Sequence, residues 1–277
     1  LGYMLGMHSL NKTENGLHSW YSWMMKNGCR QNEWGKWELI KRSVLPQLRD
    51  QMYGNNVAKL TVSDFPDSFK DNRVIIESIE FSNASKIRSA YKRAGITPEI
   101  VQQYIEKGTV EDSDHVLVNI LHARMLAESF KIPDLVEMTE ALVLEGKSVV
   151  IFVNFSETVQ ALCQNLGCDR IEGGQPEEER QNAIDRFQND EKHVLAVNIA
   201  AGGTGISLHD IKGNRQRVSL ICPSFSAKNH LQTLGRIHRN GAKSDAIQKI
   251  LVANKSVEEA VMKAVGRRLT NLNILHS

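Results

Sequence analysis

The sequence has no long apolar run, no large excess of charge and few cysteines. No apolar stretch approaches the roughly 20 residues that a membrane-spanning helix needs, and the N-terminus shows no signal-peptide pattern. The formal net charge is only +2 over 277 residues, so a nucleic-acid site has to be a local basic patch. These absences favour a globular protein that does not enter a membrane. We also expect a piece of a longer protein, because the chain begins with Leu1.

The cysteines lack the spacing of a metal or redox motif. Cys29, Cys163, Cys168 and Cys222 form no Cys-x-x-Cys pair. We therefore predict buried free thiols in a reducing compartment, and no bound zinc.

Two groups that ATP hydrolysis requires are also missing. Gly146-Lys147-Ser148 is the best candidate for a phosphate-binding loop, but the pattern needs glycine where the sequence has Ala141. The tripeptide also precedes an apolar strand, whereas a phosphate loop follows one. We interpret it as the end of a helix followed by a strand. No apolar strand candidate ends in Asp-Glu, the pair that would hold magnesium.

Residues 1–56 form an aromatic-rich first segment that contains all four tryptophans. We predict a mainly helical lead-in, with 36–51 as its clearest helix. Aromatic and basic side chains together could stack on bases, but a small helical core is the favoured interpretation.

The rest of the chain changes from a linking segment to a regular alternation. Residues 57–147 predict a pair of strands, 57–62 and 73–81, and then helices that lead to the last segment. Residues 148–277 alternate strands and helices, which is typical of an α/β domain with a parallel sheet and helices on both faces.

A glycine-rich loop follows one of the predicted strands. The apolar run 194–199 predicts a buried strand, and Ala201-Gly202-Gly203-Thr204-Gly205 after it is too rich in glycine to continue it. The backbone of such a loop can approach a ligand closely.

Three polar side chains follow on a predicted helix, 226–239. Gln232, Arg236 and Arg239 are separated by four and three residues, so we expect them on one helical face. An amide with two guanidiniums suits a polyphosphate, because guanidinium donates paired hydrogen bonds to phosphate oxygens.

These blocks resemble motifs of the superfamily-two helicases and translocases. QTLGRIHRNG, residues 232–241, is similar to the sixth motif of that family. AAGGTGISL, residues 200–208, resembles the fifth motif in its Swi/Snf form, and VVIFVNFS, residues 149–156, resembles the fourth. The resemblance is to Swi/Snf-like, phage-type members. It implies the second, C-terminal RecA-like lobe of such an enzyme, with 148–277 as the helicase C-terminal domain.

The resemblance also implies which residues meet the nucleotide and the nucleic acid. Arg239 would be the arginine finger, and Arg236 the second catalytic residue at the γ-phosphate. The other predicted nucleotide contacts are Gln232, Gly203, Thr204 and Gly205. The predicted nucleic-acid contacts are Asn154, Ser156, Gly173, Gly174, Asn198, Ala200 and Gly202, with no metal ligand in this chain.

By the same resemblance, ATP and Mg²⁺ are held mainly by a first RecA-like lobe, in cis or in trans. The nucleic acid is expected to be double-stranded DNA, and the location the cytoplasm, of a host cell if the gene is phage-encoded. Without the first lobe, the segment is predicted to hydrolyse no ATP.

Two functions stay open at this stage. The first is a motor lobe of an ATP-dependent helicase or translocase, which the intact Gln232, Arg236 and Arg239 favour. The second is a non-catalytic nucleic-acid-binding or regulatory RecA-like domain, which the missing phosphate loop keeps in play. For Arg124, on a mostly apolar helix, we predict a structural salt bridge. The basic loop with Lys212, Arg215 and Arg217 is either solvated or in contact with phosphate.

Overall fold

The structure is a computed structural model that describes residues 20–31, 37–47, 49–50, 68–107, 113–202 and 205–276. The chain divides into two compact units, Leu1–Asp64 with Arg267–Ser277, and Phe65–Gly266. The predicted strand 57–62 and the predicted site residues Gly203 and Thr204 lie outside the described residues.

The smaller unit contains a helix and a short hairpin. Helix α1 spans Trp20–Lys26, and strands β1 (Cys29–Gln31) and β2 (Trp37–Leu39) pair antiparallel. Glycine is required between α1 and β1, because a Cβ on Gly28 would lie 2.6 Å from the Cβ of Lys41 and its φ is +75°.

The prediction of a helix over 36–51 is wrong at its start. Trp37–Leu39 is a strand, and helical turns begin only at Arg42–Val44, which form a 3-10 helix. Pairing with the neighbouring strand therefore overrides the local helical pattern.

Six parallel strands organise the larger unit. They are β3 (Asn72–Ile79), β4 (Ser148–Val153), β5 (Asp169–Ile171), β6 (Val194–Asn198), β7 (Arg217–Ile221) and β8 (Ala246–Ala253). Their spatial order is β3-β8-β7-β4-β6-β5, and every neighbouring pair is parallel. All residues of β4 and β7 are buried, as expected where both faces of a parallel sheet are covered.

The helices of the larger unit connect these strands. They are α2 (Ala84–Arg93), α3 (Pro98–Lys107), α4 (Ser113–Ser129), α5 (Ile132–Leu144), α6 (Ser156–Leu166), α7 (Glu177–Gln188), α8 (Ile199–Gly202) and α9 (Ala227–Leu234), and α10 (Val257–His276) closes the chain. The chain moves outward from β4 to β5 and back to β6, so right-handed crossovers place α6 and α7 on opposite faces. The predicted RecA-like α/β fold is confirmed.

Strand β3 extends this sheet beyond the segment where strands and helices alternate. It pairs with β8 along its whole length, from Asn72 opposite Ala246 to Ile79 opposite Ala253. The sheet therefore includes a strand from the predicted linking segment 57–147 and continues across residue 148.

The core on the α7 face brings the glycine-rich loop and the arginine segment together. Alternate residues of β4 and β6 pack there with Phe187 of α7: Val150, Phe152, Leu195 and Val197. Ile206 and Leu208 of the loop and Ile237 of the arginine segment belong to the same buried cluster. Each fully buried aliphatic side chain stabilises the fold by about 1.5–3 kcal/mol, so both segments are anchored to the sheet.

Candidate nucleotide and nucleic-acid site

The residues predicted to face nucleic acid meet at one edge of the sheet. Parallel strands end on the same side, so the turns after β4, β5 and β6 lie along the carboxyl edge. These turns carry Asn154, Ser156, Gly173, Gly174, Asn198, Ala200 and Gly202.

Asn154 is the centre of a set of internal hydrogen bonds. Its Nδ2 donates to Glu128 Oε2 at 2.7 Å and to the Pro223 carbonyl at 3.0 Å. Its Oδ1 accepts from Arg124 at 3.2 Å. The side-chain amide is thus fully used within the lobe, and Asn154 positions the turn after β4.

Asn198 has a similar internal role one strand away. Its Oδ1 accepts hydrogen bonds from the backbone nitrogens of Ala200 and Ala201, which begin α8, and its Nδ2 donates to the Asn154 carbonyl at 3.1 Å. The two asparagines therefore join neighbouring turns. Ala200 is exposed beside them.

Ser156 and the two glycines of the β5 turn are open to a ligand. Ser156 is the first residue of α6, and Phe155 before it gives no side-chain cap. An uncapped helix start has amide groups that suit a phosphate. Gly173 and Gly174 are exposed, and Gly174 has a φ of +76° that favours glycine.

A cleft of about 290 Å³ opens at the same edge, between α3, α4 and the turns after β4, β6 and β7. Its walls include Tyr104, Arg124, Phe155 and Phe225. The Arg124 guanidinium lies 4.3 Å from the centre of the Phe225 ring and 5.5 Å from that of Phe155. Arg124 is therefore held by an amide and two rings, where the sequence predicts a carboxylate partner.

The predicted helix over 226–239 is wrong in its second half. Helix α9 ends at Leu234 with Gly235 as its C-cap, so Arg236 and Arg239 lie beyond it. The Leu234 carbonyl accepts a hydrogen bond from Gln248 Nε2 at 2.8 Å. Gln232 is on the helix and partly exposed, and it does not share a helical face with the arginines.

Arg236 is directed into the lobe and holds the glycine-rich loop. It is only 6% exposed. Its Nη1 donates to the Ile206 carbonyl at 3.2 Å, and its own carbonyl accepts from the Leu208 nitrogen at 2.8 Å. Burial lowers the pKa of Arg236, and the positive charges of Arg239 and Arg180 lower it further. Arg236 therefore faces the loop of its own lobe, and the predicted contacts of both arginines with a partner's nucleotide stay predictions.

Arg239 is partly exposed next to this buried arginine. Within the part of the chain that the structure describes, its buried Nε has no hydrogen-bond partner. Arg180, at the start of α7, donates to the Ala201 carbonyl at 3.4 Å and acts electrostatically on Arg236. The three guanidiniums thus form a cationic cluster beside the loop. The sequence gives no direct sign that Arg180 belongs to it, because it precedes Arg236 by two strands.

The basic loop before β7 is used inside the lobe. Lys212 donates to the Asn189 carbonyl, and Arg215 to the carbonyls of Val143 and Lys147. Arg217 is 1% exposed, bonds Asp190 at 2.8 Å and lies 4.6 Å from the centre of the Phe187 ring. Arg215 is thus partly buried and Arg217 buried, against the expectation of solvation, whereas Lys212 is exposed, and phosphate contact stays a prediction.

The Gly-Lys-Ser tripeptide is a helix end, as interpreted. Gly146 has a φ of +78° and donates to the Val143 carbonyl, Lys147 pairs with Glu145 at 2.6 Å, and β4 begins at Ser148. The lobe therefore has no phosphate-binding loop at this position.

The cysteines differ from the prediction in their burial. All four are free, but only Cys222 is buried, and the Sγ atoms of Cys163 and Cys168 lie 3.3 Å apart.

Among the described residues, no group of three or more His, Cys, Asp or Glu side chains could hold a metal ion. No helix in the described ranges is long and apolar enough to cross a membrane.

Comparison with known proteins finds a family model that matches part of this chain. The helicase conserved C-terminal domain matches residues 130–241. The chain is 35% identical over 222 residues to a protein of Acanthamoeba polyphaga mimivirus with the provisional name ATP-dependent RNA helicase L364, covering 79% of this chain and 40% of that protein.

Two chromatin proteins are also similar. Chromatin remodeling factor mit1 of Schizosaccharomyces pombe is 29% identical over 178 residues, covering 61% of this chain and 12% of its own length. The SWI/SNF-related matrix-associated actin-dependent regulator of chromatin subfamily A member 1 of Mus musculus is 30% identical over 126 residues, covering 43% and 12%. The chain thus spans less than half of each relative.

Among solved structures, the C-terminal part of the Fun30 ATPase domain has a TM-score of 0.42 at 16% identity, covering 81% of this chain and 82% of that one. That likeness is too weak to support an inference. The family match, the related sequences and the parallel sheet agree with one another. Residues 130–241 therefore match a helicase conserved C-terminal domain, within a unit that has the RecA-like α/β fold.

Proposed function

We propose that this chain is the second motor lobe of an ATP-dependent translocase or helicase that moves along duplex DNA. Arg239 would reach the γ-phosphate of an ATP held mainly by the first lobe. The observation that supports this role is the buried Nε of Arg239, which has no partner among the described residues, in a cluster with Arg236 and Arg180. An unpaired buried donor and neighbouring like charges both raise the free energy of the isolated lobe. A triphosphate would relieve both.

Arg239 and Arg236 would then have different roles. Arg239 would stabilise the charge that develops on the phosphoryl group, as an arginine finger does. Arg236 would act through the loop, because its side chain and its backbone both bond to it. Gln232 and Gly205 would complete the nucleotide side, and the assignments of Gly203 and Thr204 stay predictions.

The cofactors suit this division between two lobes. The guanidinium cluster fits the phosphates of ATP, whereas the described residues offer no carboxylate cluster for Mg²⁺. Magnesium would therefore be bound by the first lobe. Bound MgATP supplies the phosphoryl group whose hydrolysis drives the movement, and the lobe alone should show no turnover.

The carboxyl edge would be the track for nucleic acid. Ser156, Gly173, Gly174 and Ala200 offer hydroxyl and backbone groups there, which suit backbone phosphates and carry little sequence information. Duplex DNA is proposed because two of the relatives are named for chromatin. The mimivirus relative is named for RNA, so duplex RNA is the comparison substrate.

An ATPase assay on the protein with its first lobe present tests the proposal. We expect duplex DNA to stimulate hydrolysis, and Arg239→Ala to lower the stimulated rate by about 10³-fold or more with little change in DNA affinity. Arg239→Lys should not restore the rate, because an ammonium lacks the paired donors of guanidinium. Arg186→Ala is the matched control, since Arg186 is an exposed arginine that bonds only Asp169 on the surface. A stimulated rate within threefold of wild type in Arg239→Ala would exclude the arginine-finger role.

A second function is favoured by the direction of Arg236. Because Arg236 points into the lobe, only one of the two predicted catalytic arginines is available to a nucleotide, as a non-catalytic nucleic-acid-binding or regulatory domain would allow. In that case the two-lobe protein would bind DNA but show no stimulated hydrolysis, and Arg239→Ala would change neither measurement.

A further inference from the structure

Helix α4 presents a charged face to the turn that precedes Ser156. Arg124 and Glu128 are one helical turn apart on α4, which ends at Ser129, and Lys131 follows as the N-cap residue of α5. Glu128 is 4% exposed and Lys131 is 1% exposed. Buried charges are rare unless each has a defined partner, so the contacts of this face show what it holds in place.

Glu128 holds the turn between β4 and α6. Its carboxylate accepts from the Asn154 backbone nitrogen at 2.9 and 3.0 Å, from Asn154 Nδ2 at 2.7 Å and from the Phe155 nitrogen at 3.1 Å. Burial raises the pKa of Glu128, and the bonds from Asn154 oppose that shift by favouring the ionised form. Three donors on two consecutive residues leave this turn little freedom, and Ser156 follows it directly.

Arg124 fixes the same turn from the other side. It donates to Asn154 Oδ1, so one end of the Asn154 amide faces a cation and the other a carboxylate. This charge pattern sets the orientation of the amide. The stacking of Arg124 on Phe225 also joins the turn after β4 to the turn after β7.

We propose that Glu128, with Arg124, is a positioning residue for nucleic-acid binding: it orients Asn154 and Phe155 so that Ser156 and the start of α6 face the backbone of the nucleic acid. This inference rests on the proposed track at the carboxyl edge. Both residues precede the family match at 130–241, so the machinery of the lobe begins before its matched domain.

The next charge along the chain has other hydrogen-bond partners and provides a control. Lys131, the N-cap residue of α5, bonds Glu258 through its Nζ at 2.6 Å and the Leu251 carbonyl at 3.3 Å, and Glu258 accepts from the Ala253 nitrogen at 2.9 Å. These bonds join the start of α5 to the end of β8 and the start of α10, and Lys131 acts on Glu128 only electrostatically. Removing these bonds should weaken the fold without altering the track.

The test compares Glu128→Gln with Glu258→Gln in the protein that carries both lobes. Glutamine has the shape of glutamate, but it places an NH₂ group where a donor of Asn154 or Phe155 needs an acceptor. We expect Glu128→Gln to raise the Kd for duplex DNA by about 10-fold and the KM for DNA equally, while kcat at saturating DNA stays within twofold. Glu258→Gln should lower the denaturation midpoint but leave the Kd for DNA within twofold.

Two further variants keep the result interpretable. Arg124→Lys is milder, because it keeps the charge and loses the stacking fork, and it should raise the Kd for DNA by about threefold to fivefold. Asn154→Ala combined with Glu128→Gln should weaken binding no more than either change alone, because both act on one turn.

The outcomes separate this inference from the proposed function. If Glu128→Gln and Arg124→Lys bind DNA with wild-type Kd, the positioning role is overturned while the motor function stands. If Glu128→Gln and Arg124→Lys raise the Kd for DNA no more than Glu258→Gln does when the denaturation midpoints are equally lowered, the role is structural and the inference is again overturned. A wild-type two-lobe protein that neither binds duplex DNA nor is stimulated by it would overturn the proposed function itself.

Discussion

Residues 124–131 and 232–239 both place polar side chains at spacings of four and three, and a helix ends inside each segment. In the first, α4 continues to Ser129, so Arg124 and Glu128 share a helical face and both bond Asn154. In the second, the helix ends at Leu234, between the first side chain and the other two. Spacing therefore predicts a shared face only where the helical hydrogen bonds continue.

The cause of the difference is what each segment's neighbours bond to. Around 232–239 the neighbouring residues bond to the backbone of the segment. Gln248 Nε2 donates to the Leu234 carbonyl, and the Leu208 nitrogen donates to the Arg236 carbonyl. Around 124–131 the neighbours bond the side chains of Arg124 and Glu128, which both lie within α4. Opposite charges balance in the first segment, whereas like charges gather in the second. The first is suited to hold other residues in place, and the second to receive an anion.

The largest expected effect comes from removing the buried ion pair between Lys131 and Glu258. Lys131→Met should destabilise the fold by about 3–5 kcal/mol, because it leaves Glu258 buried without its partner. Adding Glu258→Leu should recover much of that loss, since an apolar pair can replace a buried ion pair. Urea denaturation measures both variants. A loss below about 1 kcal/mol in Lys131→Met would show that the pair is not isolated from water.

Acid should destabilise the fold at helix α9 through its buried histidine, His230. His230 is 1% exposed and its Nε2 lies 3.0 Å from the Ser224 nitrogen, and burial lowers its pKa to about 4. As the pH falls the unfolded chain takes up the proton first, so the stability tied to neutral His230 is complete above pH 6.5 and is lost toward pH 4. The loss is about 3 kcal/mol.

Denaturation midpoints between pH 7 and pH 4 measure this effect, with His230→Gln as the control that should lack that part of the pH dependence. Acid has the opposite effect at Glu128. Because burial raises the pKa of Glu128 in the folded chain, its protonation at low pH adds stability to the fold. Equal pH dependence in wild type and His230→Gln would contradict the prediction.

A smaller effect concerns the loop that Arg236 holds. Arg236→Ala should cost about 1–3 kcal/mol, because it removes the bond to the Ile206 carbonyl and the packing of a buried side chain, although it also relieves repulsion among the arginines. Limited proteolysis should cut the segment around Gly205 faster than in wild type. Arg186→Ala should do neither, and protection equal to wild type in Arg236→Ala would remove Arg236 from its loop role.

The smallest effect asks what ends α9. A Cβ on Gly235 would meet only the carbonyls of Gln232 and Leu231, at 3.7 and 3.8 Å, so Gly235→Ala should stabilise the fold by about 0.5 kcal/mol. If the bonds from Gln248 and Leu208 end the helix, stimulated ATPase activity should be unchanged. A large loss of activity would show that the glycine ends the helix and that alanine draws Arg236 onto it.

The sequence predicts the strands and helices of the larger unit well, because each is fixed by a local pattern. Strands β3 and β6 lie where the patterns at 73–81 and 194–199 predict them, and the residues expected to meet nucleic acid do lie at one sheet edge. Roles set by distant partners could not be predicted in this way. Asn154 is taken up by Glu128, and Arg217 by Asp190, across 26 and 27 residues.

The functional roles of the site residues stay predictions. One signal could have directed attention to Glu128: it stands four residues after Arg124 on a mostly apolar helix, where charged side chains are too costly to bury without partners. The strand in 37–39 had no such signal, because pairing with β1 decides it, whereas Gly235 marks the end of α9 in the sequence.

The pairing of β3 with β8 has a consequence for synthesis of the protein. Asn72 leaves the ribosome long before Ala246, its partner in the sheet. Until then β3 has no neighbour, and β7 has an open edge on the side that β8 later covers, a condition that invites aggregation. A messenger that ends before the codon for Ala246 would therefore yield chains that cannot complete their sheet, and chaperones would have to keep these chains from aggregating.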